Sequence, residues 1–261
     1  MSSDLSLTSV ISSEWIKFRS VRSTVLGVVT TFLLTVGIGA LITAAIRANW
    51  NATDPLHRLA FDPVTASLGG TLFAQFAVGV IGALFITSEY SSGSIRSTLA
   101  AVPVRATVVL AKFVVLVSSI LVVTELACFS TFLLGQRIFL GVVPTASLAN
   151  SSVLRSVIFG GLYLTLLAVL GFGIGLILQQ TAACISVFTS LLLVLPIVSF
   201  LLPQSWQNSY SKFEPSTLGQ SMMTPTTPDN ALTAGVALGL LAVYVIVVLI
   251  VGTTLLQRRD A

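Results

Sequence analysis

Histidine occurs once in these 261 residues, at His57, and cysteine twice, at Cys128 and Cys184. No metal-ligand spacing or disulfide framework can be built from these three residues, and His57 lies in a polar outside loop, so no Ser-His-acid constellation can be assembled at membrane depth. Both cysteines fall inside apolar runs, where a thiol behaves as a small apolar side chain. Lysine is nearly as scarce. None of Lys17, Lys112 and Lys212 follows a glycine, so the Gly-Lys phosphate loop is missing and the chain does not hydrolyse ATP by that route. No H-E-x-x-H zinc motif occurs, and no internal repeat or low-complexity segment is present.

Charge is sparse throughout. Asp, Glu, Lys and Arg make up 8% of the residues against 55% hydrophobic, and the mean hydropathy is +1.00. A water-soluble chain with one core does not tolerate that balance, which marks an integral membrane protein. The alternating segments of about ten residues that build a membrane β-barrel are also missing, because runs such as AVYVIVVLIVGTTLL are apolar on every side. The fold class expected is therefore all-α.

A helix needs about 20 predominantly apolar residues to cross the hydrocarbon. Six segments qualify, at about 24–46, 65–87, 107–134, 153–178, 181–202 and 231–256. The fourth and fifth are separated only by Gln179, Gln180 and Thr181, which leaves open a re-entrant hairpin at that junction. The first run follows Lys17, Arg19 and Arg22, but it is too long for a secretory signal core and reads as a retained anchor.

Residues 1–23 are expected to form an amphipathic helix lying in the membrane surface, ahead of a six-helix domain over 24–261. At 100° per residue, Leu7, Val10, Ile11, Trp15, Phe18 and Val21 share one arc of about 140°, with Trp15 at headgroup depth. Glu14 falls inside that apolar arc. It is either paired with a basic residue of a neighbouring segment, such as Arg96 or Arg105, or reaches water.

Lys and Arg positions set the orientation. With the N-terminus inside, eight basic residues (Lys17, Arg19, Arg22, Arg96, Arg105, Lys112, Arg258 and Arg259) face the cytoplasm, and five (Arg47, Arg58, Arg137, Arg155 and Lys212) face outward. Both termini are expected in the cytoplasm, in a bacterial inner membrane. The net charge of +4 reflects this topology and anionic headgroups rather than nucleic acid.

The loop 47–64 is polar, with two Asp-Pro turn signals and an N-A-T acceptor triplet at Asn51. The loop 203–230 holds YSKFEPSTLGQSMM, which is semi-apolar and is expected to fold back on the membrane surface as short helices.

Few polar residues lie at membrane depth. Glu125, near the middle of the third run, carries a cost of about 2.5–3.5 kcal/mol if charged there. It reads either as a substrate-path or proton-coupling carboxylate, with Gln75 a second candidate, or as a structural glutamate hydrogen-bonded to Thr124, Gln75 or a serine. Lys112 and Arg155 lie close enough to their span ends to snorkel to the headgroups. GFGIG at 171–175 lacks the strand-turn-helix setting of a dinucleotide fingerprint, and Gly171 and Gly175 instead suit close helix packing.

Between the second and third apolar runs, SEYSSGSIRSTLAAVPVRATVVLAK, residues 88–112, holds a dense set of charged and turn-forming residues. Ser91, Ser92, Gly93 and Ser94 make a turn, IRSTLAA a short helix with Ile95 and Leu99 on one side, and Pro103 ends it before Arg105. A short helix of this kind at a membrane surface suits docking in a partner's groove.

Glu89, Gly93, Ser94, Leu99, Pro103, Arg105 and Lys112, spaced E-x3-G-S-x4-L-x3-P-x-R-x6-K, resemble the segment after the second span in ABC-2-type permease subunits of ABC transporters. SEWIKFRSVRS, residues 13–23, is similar to the interfacial helix of those permeases, and residues 210–223 are similar to the stretch after their fifth span. The resemblance implies an export permease that pairs with itself or a sister permease and with two copies of an ATP-binding subunit. This chain would bind no cofactor, and ATP and Mg would sit on the partner ATPase. Residues 94–101 would be the coupling helix, formed or braced by Glu14, Trp15, Lys17, Glu89, Tyr90 and Arg96. Glu125 is not part of the family pattern. A proton-coupled secondary transporter using Glu125, or a non-transport scaffold or sensor, are the competing readings. Cargo is expected to be amphipathic or hydrophobic: a drug, an antimicrobial peptide or a lipid.

Overall fold

Among the described residues of the computed structural model, six helices are long and apolar enough to cross a bilayer: Arg22–Ala52, Thr71–Ser91, Arg105–Phe139, Ser151–Leu178, Thr181–Phe200 and Ala234–Arg258, here spans one to six. The structure describes residues 6–101, 104–227 and 231–258, and among them there is no strand. The protein is an all-α membrane protein.

Span four is the axis of the bundle. Of its apolar stretch 78% is enclosed by protein, against 17% for span one and 22% for spans five and six, most of which the rest of the chain leaves uncovered. Span two packs along it. A Cβ on Gly171 would collide with the backbone of Gly79, and one on Gly82 with the carbonyl of Ala168, so the two helices touch backbone to backbone. Hydrocarbon gives apolar side chains no reason to leave lipid, so such close approach is what holds spans together. The packing reading of Gly171 is thus correct.

Spans four and five are separate helices joined by a two-residue turn, with Gln179 left-handed at φ 60° and its N–H on Gly175 O at 2.9 Å. Spans one and five each contain a five-residue π-helical segment, Leu34–Ile38 and Ser190–Val194.

Three boundaries differ from expectation. Each Asp-Pro pair opens a short helix rather than a turn. Asp54 accepts from Leu56 N ahead of Pro55–Leu59, and Asp62 accepts from Val64 N and Thr65 N ahead of Pro63–Ser67. This is the acidic cap followed by proline that suits a helix start, and it moves the start of span two to Thr71. Span three runs to 35 residues, roughly 52 Å of helix, and overreaches a hydrocarbon layer of about 30 Å. Finally, Pro215–Met223 does not lie on a surface. Leu218, Met222 and Met223 are buried against the bundle, because they share one face of that helix.

Candidate functional site

The N-terminal helix, Leu7–Ser20, begins at Ser6, whose hydroxyl accepts from Ser9 N, and ends where Val21 turns extended and delivers the chain into span one. Its buried residues are Val10, Glu14 and Phe18, spaced four apart along one line. Leu7 and Val21, at the two ends of the helix, and Trp15, at one edge of the predicted apolar arc, stay 40%, 41% and 45% exposed. The line of Val10, Glu14 and Phe18 therefore docks on the protein body, and Glu14 is in the middle of it.

Glu14 is not solvated but paired, as one of the two readings expected, with a basic residue of a neighbouring segment, and that residue is Lys112. Glu14 Oε1 accepts from Lys17 Nζ at 2.8 Å and its Oε2 from Lys112 Nζ at 2.6 Å. Glu89, on the last turn of span two, closes the circuit, with its Oε1 accepting from Lys17 at 3.0 Å and from Lys112 at 2.9 Å. Two carboxylates and two ammonium groups thus form a ring with no net charge. Glu14 and Lys112 are 1% exposed, Glu89 10% and Lys17 39%. The Lys112 ammonium also stands 4.7 Å from the Phe85 ring centroid, so all three of its donors face a partner. Lys112 does not snorkel. Two carboxylates from other elements meet it inside the protein, and paired burial replaces hydration.

Lys17 lies outside the spans. Burial works to lower its pKa, but the hydrogen bonds it donates to Glu14 and Glu89, and the charges of those carboxylates, outweigh that and raise it. The same ammonium reaches Thr98 Oγ1 at 3.3 Å, on the helix Ser94–Ala101. Four pieces of chain meet here: the N-terminal helix, span two, the 94–101 helix and span three.

The 94–101 helix follows a turn at Gly93, whose φ of +72° favours glycine, although a Cβ there would meet nothing. Ser92 and Ser94 hydroxyls lie 2.9 Å apart, and Thr98 donates to Ser94 O. Ile95, expected on the side presented to a partner, is 5% exposed and seats the helix on its own chain, while Ser94, Ser97 and Ala100 face out. Tyr90 is partly buried against the core. Nothing is described for the side chains of Arg96 and Leu99, and Pro103 is outside the described residues. Arg105 donates to Leu256 O at 2.7 Å, which ties the start of span three to the end of span six rather than to Glu14.

Gln75 and Glu125 do not share a site. Gln75 is buried and accepts from the Tyr163 hydroxyl at 2.6 Å. Glu125 lies against Gly161. Positions 161 and 163 of span four point about 200° apart, so the two groups sit on different faces of that helix. Thr124 bonds Gly161 O and Thr165 instead of Glu125, whose Oε2 is buried without a partner among the described residues. Arg155 holds Thr224 O and Pro225 O at 3.3 and 3.0 Å, bracing the segment before span six rather than reaching for headgroups.

The sequence reading missed Lys112 as a member of the ring, yet the signal was present. The spaced pattern begins at Glu89 and ends at Lys112, and these two ends meet at 2.9 Å. Pocket, ring and exposed serines face one another: a cavity of about 440 Å³ is lined by Lys17, Glu89, Ser94, Ser97, Thr98 and Lys112, among others.

Residues 10–196 match a family model described as ABC-2 family transporter protein. A comparison with curated proteins returns no match.

Proposed function

The chain belongs to the ABC-2 family of transporter proteins, a membrane transport component without its own nucleotide-binding domain, and from that premise we propose that it is the permease subunit of an ATP-driven exporter. The family implies a partnership with an ATP-binding subunit. In this reading two such subunits carry ATP and Mg, two permeases, identical or sisters, face each other, and both termini of this multi-pass chain are cytoplasmic in a bacterial inner membrane. Cargo is amphipathic or hydrophobic.

The observation that carries the reading is the way the 94–101 helix is fastened. Thr98 joins it to Lys17, and Lys17 belongs to the charge ring that includes spans two and three through Glu89 and Lys112. Closure of the ATPase pair on ATP pushes the exposed Ser94 and Ser97 side of this helix. The ring passes the displacement to the N-terminal helix and both spans at once, and the permease halves rock. ATP does work here only through its different affinity for the two states.

The test is affinity purification of the tagged protein from native membranes in mild detergent, scoring a co-eluting P-loop ATPase. Wild type is expected to bring down such an ATPase with nucleotide-dependent activity, and Arg96→Glu and Ser97→Trp are expected to lose it. Transport by the purified chain with no ATPase present overturns the proposal. In that event Glu125, with its unpartnered oxygen, becomes the group to test for proton coupling.

A further inference from the structure

A second cavity lies behind the charge ring, on the bilayer side. It is a groove of about 480 Å³ between the N-terminal helix, span one and span three, with Trp15, Phe18, Arg19, Val25, Val29 and Val122 among its walls. Its two serines offer no free donors, since Ser118 and Ser119 donate to Val114 O and Val115 O at 2.8 and 2.6 Å. The walls are therefore apolar in effect. Val25, Val29 and Val122 are 44%, 48% and 59% exposed, so the groove opens sideways onto the surface that meets hydrocarbon.

Depth and charge narrow the occupant. From Lys112, level with the N-terminal helix, to Val123 at the groove's far end is about 16 Å of helix, roughly one leaflet's half of a 30 Å core. A path for cargo would continue across the membrane, but the groove stops there. At the shallow end stands Arg19, exposed and with no ion pair among the described residues. Trp15, 45% exposed, stands beside it as an interfacial anchor. A guanidinium at headgroup depth above a single-leaflet apolar slot complements a phosphate with an acyl chain below it.

We infer that this groove is a binding site for one anionic phospholipid of the leaflet that carries the N-terminal helix, with its phosphate on Arg19 and an acyl chain between Val25, Val29 and Val122. The inference does not depend on an ATPase partner. It does give the lipid a route to the charge ring. Phe18 forms the groove wall, its ring meets Phe85 edge-on at 5.3 Å, and Phe85 carries the Lys112 ammonium on its face. An occupied groove presses the N-terminal helix onto the body at the residue next to the ring, so bound lipid stabilises the docked position of that helix.

The experiment is native mass spectrometry of the purified full chain titrated with dioleoyl-phosphatidylglycerol or dioleoyl-phosphatidylcholine. Wild type is expected to retain one phosphatidylglycerol per chain, about fivefold more tightly than phosphatidylcholine. Arg19→Gln is expected to bring that ratio close to one, and Val122→Trp, which fills the slot, to abolish retention of both lipids. Should Val122→Trp melt earlier than wild type, Val29→Trp on the opposite wall decides. Phosphatidylglycerol retained unchanged by the tryptophan variants, or no preference for it in wild type, overturns the proposal. So does a wild-type dimer free of lipid that Val122→Trp converts to monomer, since the groove would then belong to a second copy.

Discussion

Lys112→Met isolates the energetics of the charge ring. The substitution keeps the length of the side chain and removes its charge, leaving Glu14 and Glu89, 1% and 10% exposed, to share Lys17 alone. Breaking a buried ion pair by removing one partner costs about 3–5 kcal/mol, because the abandoned charge stays in a place that cannot hydrate it. Lys17→Met removes the other cation, but Lys17 is 39% exposed and water already screens it, so that loss is about 1 kcal/mol or less. The assay is thermal unfolding of the purified chain in detergent. At about 2–4 °C per kcal/mol for a chain of this size, Lys112→Met is expected to lower the midpoint by on the order of 10 °C, several times more than Lys17→Met. Adding Glu14→Gln and Glu89→Gln to Lys112→Met removes the stranded charges and is expected to recover most of the loss. Equal midpoints for the two single variants, or no recovery in the triple variant, refute the account of a closed and buried ring.

Lys17 sets the pH behaviour of the same contact. Its folded pKa is raised above the ordinary 10.5, so its contribution is fully present below that pH and is lost as pH rises through the folded value. Trp15 emission, read after Trp50→Phe and Trp206→Phe, is expected to stay constant from neutrality to about pH 10 and to shift only in stronger alkali. At Gly93, the left-handed φ penalises alanine by about 1–2 kcal/mol, while asparagine, which tolerates that region, costs less; thermal midpoints are expected in the order Gly, Asn, Ala. At the seam between spans two and four, Gly171→Leu would drive a side chain into the Gly79 backbone, and the variant is expected to be largely lost from the membrane fraction. Glu125→Gln breaks no hydrogen bond at Oε2 and removes a charge costing about 2.5–3.5 kcal/mol at mid-bilayer, so an equal or higher midpoint is expected and a clear fall would expose a structural bond.

The apolar runs made the spans legible because lipid leaves no other solution for twenty greasy residues. What lipid does not determine was read less well. The Asp-Pro pairs were visible as punctuation, yet a cap and a turn start alike, and only the two or three residues that follow decide between them. Glu14 could be located as an intruder in an apolar arc, but besides the nearby Lys17 its partner is Lys112, and no local pattern reports a contact at that separation. Lys112 could not be placed because only its distance from the span end is legible, whereas its burial comes from Glu14 and Glu89 on other elements that pack over the start of span three. Ile95 was assigned to a partner's groove because an apolar side chain on a surface helix looks the same from sequence whether the groove is another chain's or its own.

The two kinds of glue in this molecule differ in what they allow to move. The ring holds Glu14, Lys17, Glu89 and Lys112 by bonds of 2.6–3.0 Å that have direction and stand in low dielectric, so the elements carrying them are expected to shift together or not at all. Deeper in the membrane, span two meets span four through the bare backbones of Gly79 and Gly171, a contact without directional bonds that tolerates small sliding but no added volume. Under the proposed coupling, a push on the 94–101 helix would enter at a stiff end and be relieved along a smooth seam. Variants at the seam are expected to fail in assembly, whereas variants that fold yet no longer respond to an ATPase belong at the solvent-facing edge of the ring, at Lys17 and Thr98. Thr98→Val is the sharper of the two, since it removes the 3.3 Å hydrogen bond from Lys17, together with the local 3.2 Å bond to Ser94 O, and leaves every charge paired. A Thr98→Val protein with wild-type stability and wild-type ATPase stimulation would mean that the displacement bypasses the ring.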